Sequence, residues 1–232
     1  MSETDGTVTS IVIRLVDQGE RNRIVTLLTA EAGRVSAIAR GARGKSRRFG
    51  GHLDLFHQGE AVITRRHRSG LGTLQRFDVR EPFEGIRQDI AKFAVASFLV
   101  ELVSLTTVEE AADALQYQSV SEMLTQLAQL EQADPRDVLL GFQLRWFYLL
   151  GMLPELTPAG LVSAQMRPIS PEALEAAHRL LVGAPETMPL QPGWLRDIGL
   201  LTRTLRFRVL SRPLASEPFL RQVLRDLLPS TD

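Results

Sequence analysis

Proline is absent from the first 81 residues and then occurs 12 times from Pro82 onward. Proline has no backbone N–H to give to a β-ladder, so its absence leaves the front of the chain able to form strands throughout. Ten of the 17 glycines fall in the first 80 residues and punctuate β-branched runs. The pattern predicts a small antiparallel β domain with strands over residues 7–15, 23–29, 35–40, 53–64 and 73–80. The AEAG between the second and third reads as a hairpin turn in which Gly33 takes positive φ. Five short strands in about 80 residues suit an OB-type barrel, and by count alone an SH3-like barrel equally.

The back of the chain reads as helices. Residues 86–134 hold neither Gly nor Pro, and AKFAVASFLVELVSL is apolar all round, which predicts a helix buried on most sides. A second helix is expected over about 107–130, with a stripe of Leu115, Val120, Met123, Leu124, Leu127 and Leu130. Asp134 followed by Pro135 predicts a capped start for a helix that runs to Leu150 and is stopped by Gly151. Residues 152–170 are Pro- and Gly-rich and are expected to be irregular. Ser170-Pro171 repeats the cap-and-start pair, with helices expected near 171–182, 192–210 and 216–228. The expected class is α+β, with an OB-fold domain over 1–80 and a helical domain over 81–232.

Net charge is zero, but it is unevenly spread. Residues 1–80 hold 14 Lys and Arg against 8 Asp and Glu; the remaining 152 hold 13 against 19. A basic front on a neutral chain predicts an anionic partner for the front. There is no cysteine, which excludes disulfides, a thiol nucleophile and every cysteine-based zinc site. No apolar run reaches membrane-span length, and the start MSETDGTVTS is unlike a signal peptide, so a cytoplasmic address is expected.

The densest charge lies in residues 34–51, where Arg34, Arg40, Arg43, Lys45, Arg47 and Arg48 occur with no acid between them. Gly41, Gly44, Gly50 and Gly51 let such a loop follow a phosphate backbone. A second patch, Arg65, Arg66 and Arg68, is expected at the tip of the hairpin between the last two strands. Phe49, among the glycines of the basic loop, is read as a base-stacking residue. GARGKS is not a nucleotide-binding P-loop: Ala39 stands where the first glycine is required, and SRRFGG rather than a helix follows Ser46. His52, His57, His67 and His178 are scattered, and the front carboxylates are singletons, so neither a metal site nor a nuclease centre is expected. No cofactor is expected.

The run RNRIVTLLTAEAGRVSAIARGARGKSRRFGGHLDLF resembles the signature of the bacterial recombination mediator RecO family, with its hairpin "T-x-E-x-G-R", its "A-[KR]-G-[AV]-R" and the basic loop after it. SFLVELVSL is similar to that family's first long helix, LLGFQLRWFYLLGMLPEL to its "L-L-G-x-x-P" helix, and RFRVLSRPLASEPFLRQVL to its "G-[KR]-P-L-K-S" region. The resemblance implies a non-enzymatic protein that binds single- and double-stranded DNA and anneals complementary strands. It also implies recognition of the C-terminal tail of single-stranded DNA-binding protein (SSB), and action with RecR to help load RecA. The implied DNA contacts are the six basic residues of the loop. Arg145, Arg203, Arg206 and Arg212, with Arg208 beside them, are the candidates for the SSB tail. Two departures stand out. Many members carry a cysteine zinc site after the "L-L-G-x-x-P" helix, where this chain reads TPAGLVSAQMRPISP and must hold the loop by packing. The family's "P-L-K-S" reads Pro213-Leu214-Ala215-Ser216, which removes a basic residue. The alternative from another class is an RNA-binding OB module of ribosome assembly or translation, whose barrel and charge would look the same.

Overall fold

The structure is a computed structural model describing residues 4–44, 47–49, 53–65, 71–131, 134–183 and 190–227. Five strands, β1 (Thr4–Gln18), β2 (Asn22–Thr29), β3 (Gly33–Ala39), β4 (Gln58–Arg65) and β5 (Gly72–Glu81), close a barrel in the order β1-β2-β3-β5-β4. The long β1 serves two neighbours: residues from Thr4 to Ile11 pair with β4, and those from Ser10 to Gln18 pair with β2 across a bulge between Val12 and Arg14. A bulge sharpens the bend that lets one strand pass from one sheet face to the next. Closure is made by a parallel pairing, Ala37 with Gly72 and Ile38 with Thr73. That crossover is the OB arrangement and removes the SH3-like alternative.

The barrel is filled by alternate residues, as the period of two demands. Val25, Leu27, Val35, Ala37, Ala39, Ala61, Ile63, Leu74 and Phe77 share one core with Val12, Leu53 and Phe49. The strand expected from residue 53 starts only at Gln58. Before it, Phe56 turns the chain with φ 70° while its N–H donates to the Val12 carbonyl at 2.9 Å. Its fully buried ring holds a backbone conformation that an exposed phenylalanine would not keep.

The helices are α1 (Glu84–Arg87), α2 (Ile90–Thr106), α3 (Ala114–Gln129), α4 (Pro135–Leu149), α5 (Pro158–Ser163), α6 (Pro171–Val182), α7 (Pro192–Val209) and α8 (Glu217–Leu227). The chain divides into two compact units, Met1–Glu84 with Val100–Leu124, and Gly85–Leu99 with Thr125–Asp232. The barrel unit therefore includes the end of α2, the start of α3 and the segment between them.

That segment corrects the second expected helix, which begins at Ala114 rather than at 107. Asp113 caps it by accepting from the N–H groups of Leu115 and Gln116 at 3.0 and 3.1 Å. Upstream, Glu109 bridges to the backbone of Gly33 and Arg34, so tertiary pairing overrides helical continuation there. The approach is close. Gly33 has φ 62°, and a Cβ on it would lie 2.1 Å from the Ala111 carbonyl oxygen. Leu115 is exposed and Tyr117 takes the buried place, its hydroxyl accepting from Gln58 Nε2 at 3.1 Å. Burial pushes the Tyr117 hydroxyl above its ordinary value, against the opposing pull of Gln58.

In the helical unit the two proline starts behave as expected. Asp134 accepts from Arg136 N–H at 2.9 Å and Ser170 from Ala173 N–H at 3.1 Å. Gly151 and Gly183 terminate α4 and α6 with φ 67° each. Residues 152–170 are more ordered than expected. Thr157-Pro158 is a third cap-and-start pair, opening α5 with Gly160 N–H donating to Thr157 Oγ1 at 3.0 Å. Arg208 then donates to the carbonyls of Ala164 and Gln165 at 2.8 and 3.0 Å, and Leu161 and Met166 are buried. Among the described residues no helix is long and apolar enough to cross a membrane.

Candidate nucleic-acid interface

Strand direction decides which basic residues meet. β2 starts at the β1–β2 turn, and Arg23 pairs with Ala39 at the far end of β3. β5 starts beside Ala37 and Ile38, where β4 ends. The β1–β2 turn, the segment after β3 and the adjoining ends of β4 and β5 therefore share one end of the barrel.

Hydrogen bonds fix the segment after β3 against the turn. Arg43 donates from its backbone to the Arg21 carbonyl at 3.2 Å and from Nη1 to the Gly19 carbonyl at 2.8 Å. Asp17 holds Arg23 at 3.1 Å and Arg43 at 3.5 Å, and Asn22 Oδ1 accepts from Gly41 N–H at 3.1 Å. Arg48 reaches back to the Arg40 carbonyl at 3.2 Å, with its guanidinium 5.6 Å from the Phe49 ring centre. Arg21, Arg40, Arg43 and Arg48 are exposed around this end, with Asp17 and Glu20 as nearby acids. In its described part, residues 40–44 and 47–49, the segment is a shaped basic surface. Such a surface presents guanidiniums at fixed spacing to a phosphate chain, where each contact releases counterions. Arg21 escaped the sequence reading, because only the β1–β2 register brings it beside residues 40–48.

Two candidates are corrected. Phe49 is 1% exposed: a single 3-10 turn over Arg47–Phe49 packs against β5 and drops the ring into the barrel core. Its neighbours disguise it, since glycines and arginines surround it in sequence while Leu53, Leu74 and Phe77 share its core in space. Arg34 lies at the opposite end of β3 from Arg40, about 20 Å away by strand rise. There it donates from Nη1 to the Ser104 carbonyl at 3.0 Å and pairs with Glu109 at 3.2 Å. It is a fastener of the barrel unit. Lys45, Arg66 and Arg68 lie outside the described residues, as do the side chains of Arg47 and Arg65, whose backbones open the 3-10 turn and end β4.

The four arginines of the helical unit do not form one cluster. Arg206 is nearly enclosed: it donates to Gln143 Oε1 at 2.5 Å, pairs with Glu217 at 3.5 Å and lies 5.0 Å from the Phe98 ring centre. Burial pulls its guanidinium below the usual value, and Glu217 pulls it back up. Arg206 forms the floor of a groove whose walls are Phe207, Leu210, Ser211, Arg212, Pro213 and Leu214. Only Arg212 of the other three candidates lines it. Arg203 is exposed on α7, 5.4 Å from the Phe207 ring centre, and Arg145 runs beside Gly183 at the end of α6. Among the described residues no group of His, Asp and Glu is arranged to hold a metal ion, and His178 bonds the Leu156 carbonyl at 2.9 Å.

Comparison with known proteins bears on the family. Residues 1–83 match the family described as "Recombination protein O N terminal", and residues 87–160 match "Recombination protein O C terminal". A "DNA repair protein RecO" of Anaeromyxobacter dehalogenans (strain 2CP-C) is 34% identical over 216 residues, covering 90% of this chain and 84% of its own. One from Anaeromyxobacter sp. (strain K) is 35% identical over 195 residues, covering 81% and 75%. One from Bacillus cereus (strain AH187) is 37% identical over 147 residues, covering 63% and 58%. Two family matches that together span the barrel and the first helices, with relatives at this identity along most of the chain, place it: the chain belongs to the recombination protein O family of DNA repair proteins.

Proposed function

We propose that this chain is a recombination mediator that works by scaffolding rather than by catalysis. The basic end of the barrel takes single- and double-stranded DNA by its phosphates and holds strands for annealing. The observation that carries the reading is the meeting of Arg21, Arg40, Arg43 and Arg48 at one barrel end, built by strand register and fixed by Asp17, Asn22 and the Gly19 carbonyl. Lys45, Arg47, Arg65, Arg66 and Arg68 are the further basic residues that the sequence sets near these in the chain or at the end of β4. No step of annealing calls for a cofactor.

In the helical unit, the groove of Leu210, Pro213 and Leu214 with Arg212 at its edge suits the acidic, apolar end of an SSB tail. In this reading the protein acts with RecR on SSB-coated strands, which are then passed to RecA. Arg206 contributes by keeping the groove floor in place, since its own donors are already engaged.

The test is binding of a single-stranded oligonucleotide across a salt series by wild type and an Arg40→Glu, Arg48→Glu variant, with RNA of the same sequence in parallel. The variant is expected to flatten the slope of log affinity against log salt by about 1.4 for two phosphate contacts on a single strand. An unchanged slope rejects the barrel end, and tighter binding of RNA favours the translation-module reading. Annealing of strands coated with intact or tail-deleted SSB then tests the mediator step, which is expected to need the tail.

A further inference from the structure

The acidic balance of the back of the chain hides a second basic region. Residues 81–191 carry 6 Lys and Arg against 15 Asp and Glu, whereas residues 192–227, which form α7 and α8, carry 7 against 3. On α7 these arginines divide by face. Arg206 turns inward to Gln143 and Glu217, and Arg208, though exposed, is engaged by the carbonyls of Ala164 and Gln165. Arg196, Leu200, Arg203 and Phe207 follow one another at intervals of four, three and four residues, which places them on one stripe of the helix. All four are exposed.

We propose that this stripe is a second nucleic-acid surface, taking a single strand by its phosphates at Arg196 and Arg203 and by a base stacked on Phe207. The stripe spans about 16 Å of helix, enough to engage more than one nucleotide. Arg203 lies 5.4 Å from the Phe207 ring centre, yet 67% of Phe207 remains exposed. A ring held by a guanidinium and still open to solvent is the pairing that sequence-tolerant single-strand binding uses, because every base has a face to stack and a phosphate beside it. Leu200, 40% exposed between the two arginines, adds an apolar contact for a base or sugar. Asp197, next to Arg196 in sequence, is turned toward the backbone N–H of Ser170 at 3.5 Å and lies 4.0 Å from Arg196. An isolated exposed phenylalanine would be unremarkable on a protein surface. Alternation of Arg, Leu, Arg and Phe on one face, in the one basic stretch of an acidic region, is the complement of a polyanion with flat apolar bases. The inference stands apart from the barrel reading for binding and rests on it only for annealing, where each surface would hold one strand.

The experiment uses the full chain and an oligonucleotide carrying 5-iodouracil, crosslinked by ultraviolet light and mapped by mass spectrometry. Crosslinks are expected at Phe207 in wild type and also in the Arg40→Glu, Arg48→Glu variant. Adding Arg196→Glu and Arg203→Glu should remove them and flatten the salt slope by a further 1.4 or so. Phe207→Ala should lower affinity several-fold with little change in slope, which separates stacking from charge. These side chains are exposed, so melting temperatures are expected to stay close to wild type, and that is measured alongside. Crosslinks confined to the barrel, with the salt slope untouched by Arg196→Glu and Arg203→Glu, overturn the proposal. So does loss of SSB-tail peptide binding in that variant with DNA binding intact, which would make the stripe a peptide surface. If the α7 variant loses DNA while the barrel variant does not, the barrel reading fails and this one stands.

Discussion

Arginine does different work in the two units. At the barrel end, Arg21 and Arg40 are exposed, and the bonds that shape the described part of the loop are made by backbone groups, by Asp17 and Asn22, and by Arg43 and Arg48. In the helical unit, Arg206 is held by a carboxylate, an amide and an aromatic ring, with 12% of its side chain exposed. Arg34 shows that the contrast is one of surroundings rather than of unit, since it is spent inside the barrel unit on Ser104 and Glu109. Charge counted along the sequence locates a basic region. Burial and partners decide which of its charges can meet a ligand, because a guanidinium already paired must lose that pairing first.

The sharpest break of this comparison is Phe49→Ala. Removing a core phenylalanine is expected to destabilise by about 3–5 kcal/mol, read as a lower urea midpoint, while the folded protein keeps its oligonucleotide affinity. Phe49→Leu, with a smaller loss, keeps the comparison measurable should the alanine variant not fold. A stable variant with weakened DNA binding would restore Phe49 as a stacking residue. Next in size is Arg206→Ala, which leaves the buried Gln143 oxygen without its donor, while Glu217 keeps Arg221 at 2.6 Å, and should cost about 2 kcal/mol. If Arg206→Ala instead leaves the melting curve unchanged and weakens only tail-peptide binding, Arg206 belongs with the exposed arginines. The smallest effect is expected for Arg34→Ala, about 1.5 kcal/mol from its charged hydrogen bond to Ser104, with a salt slope equal to that of wild type. A flattened slope there would return Arg34 to the DNA surface.

The helical starts were legible because capping is local chemistry. Asp134-Pro135 and Ser170-Pro171 mark their helices without help from the rest of the fold, and Thr157-Pro158 carried the same signal unnoticed inside a segment rich in proline and glycine. The limits of β4 and α3 were not legible in that way. Phe56 takes a left-handed turn because β1 offers it the Val12 carbonyl, and residues 108–113 stay out of a helix because Glu109 bridges to Gly33 and Arg34, where Gly33 leaves room. Each depends on a partner far away in sequence.

The same division runs through the candidate sites. Composition and order of residues were enough to place a basic, proline-free barrel ahead of a helical region and to concentrate the candidates in residues 34–51. Tertiary structure alone separated Arg40, Arg43 and Arg48 from Arg34, turned Phe49 inward, joined Arg21 to the surface and sorted the arginines of α7 by face. Sequence carries charge and periodicity, which are properties of a residue and its neighbours along the chain. Exposure and pairing are settled by whatever the fold brings to within a few ångströms, and no stretch of sequence contains both partners.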